Sequence, residues 1–169
     1  VSPGRLRELI QSASDHVGGH RFSIGFLVSE WEEVVDAWQL ASWESYRDVR
    51  RLGRKTRLTE KQREVLWSIF ERVRTALDAE GLMTPAALLT RLAGDYSAGA
   101  ARPYDHVVVD ESQDVSIPQL RFLASLCADR PNGLFFAGDL GQRIFQRPFS
   151  WRALGIDIRG RGRTLRVNY

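Results

Sequence analysis

Apolar residues in the first 100 positions recur at the three- and four-residue intervals that are typical of amphipathic helices. The clearest run follows Thr59 and Gln62, which have the spacing of a capping box, and it ends at Gly81. Ser2 and Thr84 each precede a proline, a combination that favours the start of a helix. The N-terminal part of the chain is therefore predicted to be mostly helical.

Other segments in this part have less regular patterns. Residues 22–28 form an apolar run, which predicts a strand or another buried segment. Tryptophans and valines then recur at helical spacing and favour one helix over about residues 29–46. Small residues over positions 94–103 predict a linker.

The pattern changes after residue 103. Val107, Val108 and Val109 form a continuous β-branched run, which predicts a strand buried on both faces of a parallel sheet. Ser116 and Gln119 have capping-box spacing before a leucine-rich helix, and a second apolar run occupies residues 134–137. Strand, helix and strand make a βαβ unit, and residues 164–167 predict a third strand. The predicted fold class is α/β, with a helical region in residues 1–103 and part of a parallel sheet in residues 104–169.

Composition narrows the class of protein. The chain has 169 residues, of which 43% are apolar, enough for one core. Its one cysteine, Cys127, rules out an internal disulfide and is expected to fill core space in a reducing, cytoplasmic compartment. No apolar run approaches the roughly 20 residues that span a bilayer, so no membrane partner is expected.

Basic residues are concentrated in two stretches, although the net charge is only +3. The first follows an aromatic segment, and the second lies near the C-terminus beside Phe145, Phe149 and Trp151. Such clusters indicate either a solvated surface with salt bridges or a nucleic-acid contact. The first cluster contains Arg47, Arg50, Arg51, Arg54, Lys55, Arg57, Lys61 and Arg63.

Acidic residues follow the first predicted strand directly. Asp110 and Glu111 would lie at its carboxyl end, where open α/β sheets place their ligands. One carboxylate there can hold Mg²⁺ while its neighbour takes a proton from an attacking water, as phosphoryl transfer requires. The second strand also ends in polar residues, Gly138 and Asp139, followed by Gln142.

Three strings in the last 65 or so residues resemble motifs II, III and IV of UvrD/Rep/PcrA-like superfamily 1 DNA helicases, in that order. They are VVVDESQD (107–114), GDLGQRIF (138–145) and LRVNY (165–169). The resemblance implies a RecA-like parallel sheet of the P-loop NTPase type, with ATP and Mg²⁺ as cofactors. It also implies that Asp110 coordinates magnesium, that Glu111 is the general base, that Gln142 senses the γ-phosphate and that Tyr169 packs against the adenine.

The same resemblance implies contacts with single-stranded DNA or a junction of single and double strands. Phe145 and Trp151 would stack on bases, and Arg143 would lie beside them. Ser112 and Arg143 depart from the family's usual pattern, where an apolar residue and a serine are common. A core position is an equal alternative for Trp151.

The chain contains no glycine-rich run ending in Gly-Lys-Ser/Thr, the loop that binds nucleotide phosphates. We therefore expect an internal fragment of an ATP-dependent helicase or translocase, with 3′ to 5′ polarity by resemblance and a DNA-repair setting. Residues 1–103 would correspond to the insertion called 1B and its return to the first motor domain. Alone, the chain is expected to lack ATPase activity and, because strand edges would be exposed, to self-associate.

The sequence is also compatible with other functions. The chief alternative is a non-catalytic module that binds single-stranded nucleic acid or docks a partner through its basic helical half. A superfamily 2 helicase is disfavoured by the Gly-Asp-x-x-Gln arrangement, and a two-metal nuclease by the isolation of His16, His20 and His106.

Overall fold

The computed structural model describes residues 1–51, 56–127, 130–139 and 160–163. It is a mixed, helix-rich α/β structure whose described strands form one two-stranded parallel sheet. The predicted third strand, over residues 164–167, lies outside the described residues. In chain order the elements are α1 (Pro3–Val17), α2 (Ile24–Glu30), α3 (Trp43–Asp48), α4 (Glu60–Ala79), α5 (Pro85–Ser97), β1 (Val107–Val109), α6 (Ile117–Leu126) and β2 (Leu134–Phe136).

Short polar side chains start the helices at the predicted positions. The hydroxyl groups of Ser2, Thr59 and Thr84 each accept a hydrogen bond from a backbone N–H in the first turn of α1, α4 and α5. These bonds satisfy donors that have no partner inside the helix. The capping box at Ser116 and Gln119 is also present at the start of α6. All four predicted helix starts are confirmed.

The segment predicted as one helix over residues 29–46 is divided. Helix α2 begins earlier, after Ser23, whose hydroxyl accepts from the Phe26 N–H, and continues into a π-helical turn at Trp31–Asp36. Gln39 then takes a left-handed conformation with φ of 50°, and Ser42 caps the separate helix α3. The strand alternative for residues 22–28 and the single-helix prediction are therefore wrong, whereas Leu27 within that segment is buried.

The predicted linker over residues 94–103 begins later than expected. Helix α5 continues to Ser97, since one glycine within a helix weakens it without ending it. The chain leaves the helix near Gly99, whose φ is 104°. Only the second half of the predicted linker is irregular.

Helices α1 to α4 and the π-helical turn form one packed body, the helical unit. Its core contains an aromatic group in which the Phe70 ring lies 5.8 Å from Trp31 and 5.9 Å from Tyr46, centroid to centroid. Such pairs add to the free energy gained from burying apolar area. The buried apolar residues of this core are Leu6, Leu9, Ile10, Ala13, Leu27, Trp31, Val34, Val35, Tyr46, Leu66, Trp67, Ile69, Phe70, Val73 and Leu77.

Strands β1 and β2 with the connecting helix α6 form the βαβ unit. The strands are parallel, with Val108 opposite Phe135, and α6 packs against α5. Cys127, at the end of α6, is buried as predicted, and its thiol donates to the Gly133 carbonyl oxygen at 3.2 Å. Val108 is 73% exposed and Phe135 is 61% exposed. The prediction that β1 is buried on both faces is wrong, because no described element covers this side of the pair.

Among the described residues, contacts made by Asp36 and Trp38 link the helical unit to α5 and α6, and we call these two contacts the junction. The Thr84 hydroxyl, at the start of α5, donates to the Asp36 carboxylate at 2.7 Å. The guanidinium of Arg121, on α6, lies 5.3 Å from the ring centroid of Trp38. Burial raises the pKa of Asp36, although hydrogen bonds from Thr84 and Gln39 partly oppose this.

None of the described helices combines the length and the apolar character that a membrane-spanning helix needs.

Candidate active site

The polar ends of β1 and β2 lie side by side. Parallel pairing continues past both strands, with the Ala137 N–H donating to the Val109 oxygen at 2.8 Å and the Ser112 N–H donating to the Ala137 oxygen at 2.9 Å. These bonds bring the acidic segment after β1 against the Gly-Asp segment after β2. The local fold thus gathers the polar residues at one sheet edge, the usual ligand position in such sheets.

Asp110 and Glu111, directly after β1, are both exposed at this edge. Glu111 has φ of 49° and ψ of 40°, a left-handed conformation that costs a residue with a side chain about 1–2 kcal/mol. Its N–H donates to Asp110 Oδ1 at 2.8 Å, which ties the two residues together. Strained backbone of this kind is concentrated at functional sites, where surrounding contacts maintain it.

Gln113 is buried behind the carboxylates, with only 4% of its surface exposed. Its amide nitrogen donates to Glu111 Oε2, and its amide oxygen accepts from the Asp139 N–H at 3.0 Å. One side chain therefore connects the carboxylate after β1 to the backbone after β2. Gln113 was not among the predicted site residues, although it follows the acidic pair closely in the sequence.

Gly138 allows the two segments to approach this closely. A Cβ atom there would lie 2.5 Å from the Gln113 amide oxygen and 2.7 Å from the Ser112 hydroxyl oxygen. Both distances are far below a normal contact, so any larger residue would push the segments apart. The requirement for glycine is one of space.

The carboxylates at this edge provide oxygen atoms, the donors that Mg²⁺ prefers. Within the described ranges, no three histidine, cysteine or acidic side chains form a group that could hold a metal ion unaided. Mg²⁺, however, is commonly held by one or two carboxylates together with water and substrate phosphates. The exposed carboxylate pair fits this mode of binding.

Five other predicted site residues lie outside the described residues. They are Gln142, Arg143, Phe145, Trp151 and Tyr169. Their predicted roles toward nucleotide and DNA stay predictions, as do the cytoplasmic location and the self-association.

A family model, the UvrD/REP helicase N-terminal domain, matches residues 20–156. The match covers most of the chain and includes the acidic strand end and both described strands. The chain belongs to the UvrD/REP helicase family. No curated protein and no solved structure matches it. The resemblance drawn from the three motifs is thereby confirmed at the level of the family.

The arginines and lysines of the first basic cluster lie in two different environments, and two of the arginines make contacts inside the helical unit. Arg51, with 5% of its side chain exposed, forms two 2.6 Å bonds to the fully buried carboxylate of Glu30. Tyr46 also donates to Glu30, and burial raises the pKa of its hydroxyl. Arg63 donates to the backbone oxygens of residues 46 and 47. Arg51 and Arg63 therefore stabilise the helical unit through internal contacts.

The remaining described members of the cluster face solvent. Arg50, Arg57 and Lys61 are exposed and form no salt bridge within the described part of the chain. Arg47 is paired with Asp48. Among the described members of the cluster, Arg50, Arg57 and Lys61 are therefore the candidates for a nucleic-acid contact, while Arg54 and Lys55 lie outside the described residues.

Proposed function

We propose that this chain is part of the first motor domain of an ATP-dependent, 3′ to 5′ DNA helicase or translocase. Residues 104–169 would belong to its RecA-like sheet and residues 1–103 to the 1B-like region. The supporting observation is the exposed carboxylate pair at the end of β1, in which the strained residue Glu111 is bonded to Asp110 and held against the end of β2. Family membership supports the helicase assignment.

The two carboxylates have different tasks in this proposal. Asp110 would hold the magnesium ion of a bound nucleotide, and that ion would supply neutralisation of the phosphate charge. Glu111 accepts a proton from the water that attacks the terminal phosphate, through a carboxylate oxygen whose neighbour is fixed by Gln113. By family resemblance, Gln142 and Tyr169 contact the γ-phosphate and the adenine, while Phe145, Trp151 and Arg143 contact single-stranded DNA.

The test uses ATP hydrolysis stimulated by single-stranded DNA. In a polypeptide that joins this chain to a phosphate-binding loop and the second motor domain, Glu111→Gln is expected to lower kcat by about 100-fold or more. Glu64→Gln, an exposed carboxylate on α4, is the matched control and should leave the rate unchanged. A Glu111→Gln enzyme that turns over like the wild type would overturn the proposal.

The isolated chain gives a second test. We expect negligible ATP turnover, because it contains no Gly-Lys-Ser/Thr loop to bind the phosphates. Turnover that depends on Glu111 in the isolated chain would contradict this expectation.

A second candidate function is binding of single-stranded nucleic acid by the helical unit. The exposure of Arg50, Arg57 and Lys61, beside two arginines used internally, favours it. Reversing Arg50 and Arg57 to glutamate should weaken binding. The slope of the logarithm of the binding constant against the logarithm of salt concentration should become shallower by about 0.7 for each phosphate contact that is lost. Arg72→Glu, exposed further along α4, is the control, and equal losses from both changes would refute this candidate.

A further inference from the structure

Gln113 is a buried amide that contacts groups on both sides of the candidate site. It is buried, and both ends of its amide are occupied by groups of fixed character. A carboxylate can only accept and a backbone N–H can only donate. The orientation of the amide is therefore determined by its partners: nitrogen toward Glu111 and oxygen toward Asp139.

The two bonds join positions that are far apart in sequence. Gln113 and Asp139 are separated by 26 residues, with all of α6 and β2 between them. Because Gly138 leaves no free space beside the Gln113 oxygen, the end of β2 has little room to shift without disturbing the amide. A movement of the segment after β2 would thus be transmitted to the carboxylate of Glu111.

We propose that Gln113 is a positioning residue that fixes the Glu111 carboxylate and couples it to the backbone at the end of β2. The inference rests on the proposed function, in which Glu111 accepts a proton from water. The Gln113 nitrogen binds one carboxylate oxygen and leaves the other oriented for that proton. Loss of the bond would leave Glu111 chemically intact and badly placed.

The coupling is tested first in the chain itself, without reference to activity. Gln113→Leu removes both bonds, so hydrogen exchange of the Asp139 amide should become at least tenfold faster. Gln113→Glu keeps the acceptor for Asp139 but sets two carboxylates against each other, which should lower the folding equilibrium constant by about tenfold or more. Gln11→Leu, an exposed glutamine on α1, is the control for both measurements.

A swapped pair separates a specific contact from general damage. In Gln113→Glu with Glu111→Gln, the new amide at 111 can donate to the new carboxylate at 113, which restores a charge-assisted bond. We expect this double variant to recover stability to within about threefold of the wild-type folding constant. A double variant no more stable than Gln113→Glu alone would overturn the proposed contact.

The catalytic arm uses the polypeptide described under the proposed function. Gln113→Leu should lower kcat for ATP by about tenfold or more and leave KM nearly unchanged, whereas the swapped pair should stay inactive because position 111 has lost its carboxylate. If Glu111→Gln stops hydrolysis while Gln113→Leu keeps the wild-type kcat, the inference fails and the proposed function stands. If Glu111→Gln keeps the wild-type rate, the proposed function fails. The stability of the double variant then still shows whether the contact between positions 111 and 113 exists.

Discussion

The helical unit and the βαβ unit are built by different means. Among the described residues, nine of the ten largest fully buried side chains belong to the helical unit, and only Leu120 belongs to the βαβ unit. The βαβ unit is instead held by the pairing of β1 with β2, by the packing of α6 against α5 and by the bonds of one buried amide, and it has two exposed apolar side chains. Among the described residues, the unit with the candidate chemistry thus has few of the fully buried apolar side chains, and the geometry of its strand ends depends on polar contacts.

Two phenylalanines test this comparison with the same change in each unit. Phe70 is fully buried against Trp31 and Tyr46, so Phe70→Ala should lower the free energy of unfolding by about 3–5 kcal/mol. Phe135→Ala, on the exposed side of β2, should cost less than about 1 kcal/mol. Urea unfolding followed by circular dichroism measures both. Equal losses would mean that the two units are packed alike.

Glycine substitutions test the polar geometry of the βαβ unit. Gly138→Ala forces a methyl group against Gln113 and Ser112 and should cost about 1–3 kcal/mol. Gly94→Ala, in α5 with no atom within 4 Å of the added carbon, is the control and should gain about 0.5–1 kcal/mol. Differential scanning calorimetry of the two variants gives the comparison. A Gly138→Ala protein as stable as the wild type would show that the strand ends are less tightly joined than described.

The contact between Arg121 and Trp38 in the junction is expected to contribute a smaller free energy. The Arg121 guanidinium over the Trp38 ring should contribute about 0.5–1 kcal/mol. A double-mutant cycle with Arg121→Gln and Trp38→Leu isolates this energy from other losses. Additive effects of the two changes would remove this contact as a link between the units.

The smallest expected effect depends on pH. Because burial raises the pKa of Asp36 above its ordinary value, ionised Asp36 costs more free energy in the folded chain than in the unfolded chain. The contribution of protonated Asp36 to the free energy of unfolding is fully present below the pKa that Asp36 has in the unfolded chain. It is lost as the pH rises through the higher pKa that Asp36 has in the folded chain. Asp36→Asn should therefore be slightly more stable than the wild type near pH 7, and this advantage should disappear near pH 3.5. Urea unfolding at the two values checks the sign, and an advantage present only in acid would contradict it.

Local signals explain what the sequence predicted well. The helix starts at Ser2, Thr59 and Thr84 depend on a hydroxyl and an N–H three residues apart, so neighbouring letters suffice. The strand ending in Asp110 and Glu111 was visible for the same reason. The break at residues 39–42 was missed, although Ser42 with Ser45 carried a capping signal within the longer tryptophan pattern.

Long-range contacts explain what the sequence did not predict. The role of Gln113 depends on an N–H 26 residues away, and the internal use of Arg51 depends on Glu30, 21 residues before it. In sequence, Arg51 looks no different from Arg50. The exposure of Val108 likewise depends on what covers the sheet, which a β-branched run cannot specify.

The position of Cys127 has a practical consequence. It is the only thiol in the chain and is buried at the end of α6, whereas four of the five tryptophans lie in or next to the helical unit. A thiol-reactive reagent would therefore label the chain at the rate at which the βαβ unit opens, while indole fluorescence would follow the aromatic core. The thiol and the indole groups therefore report on the βαβ unit and on the helical unit separately, so the opening rate of each unit can be measured with side chains that the chain already contains.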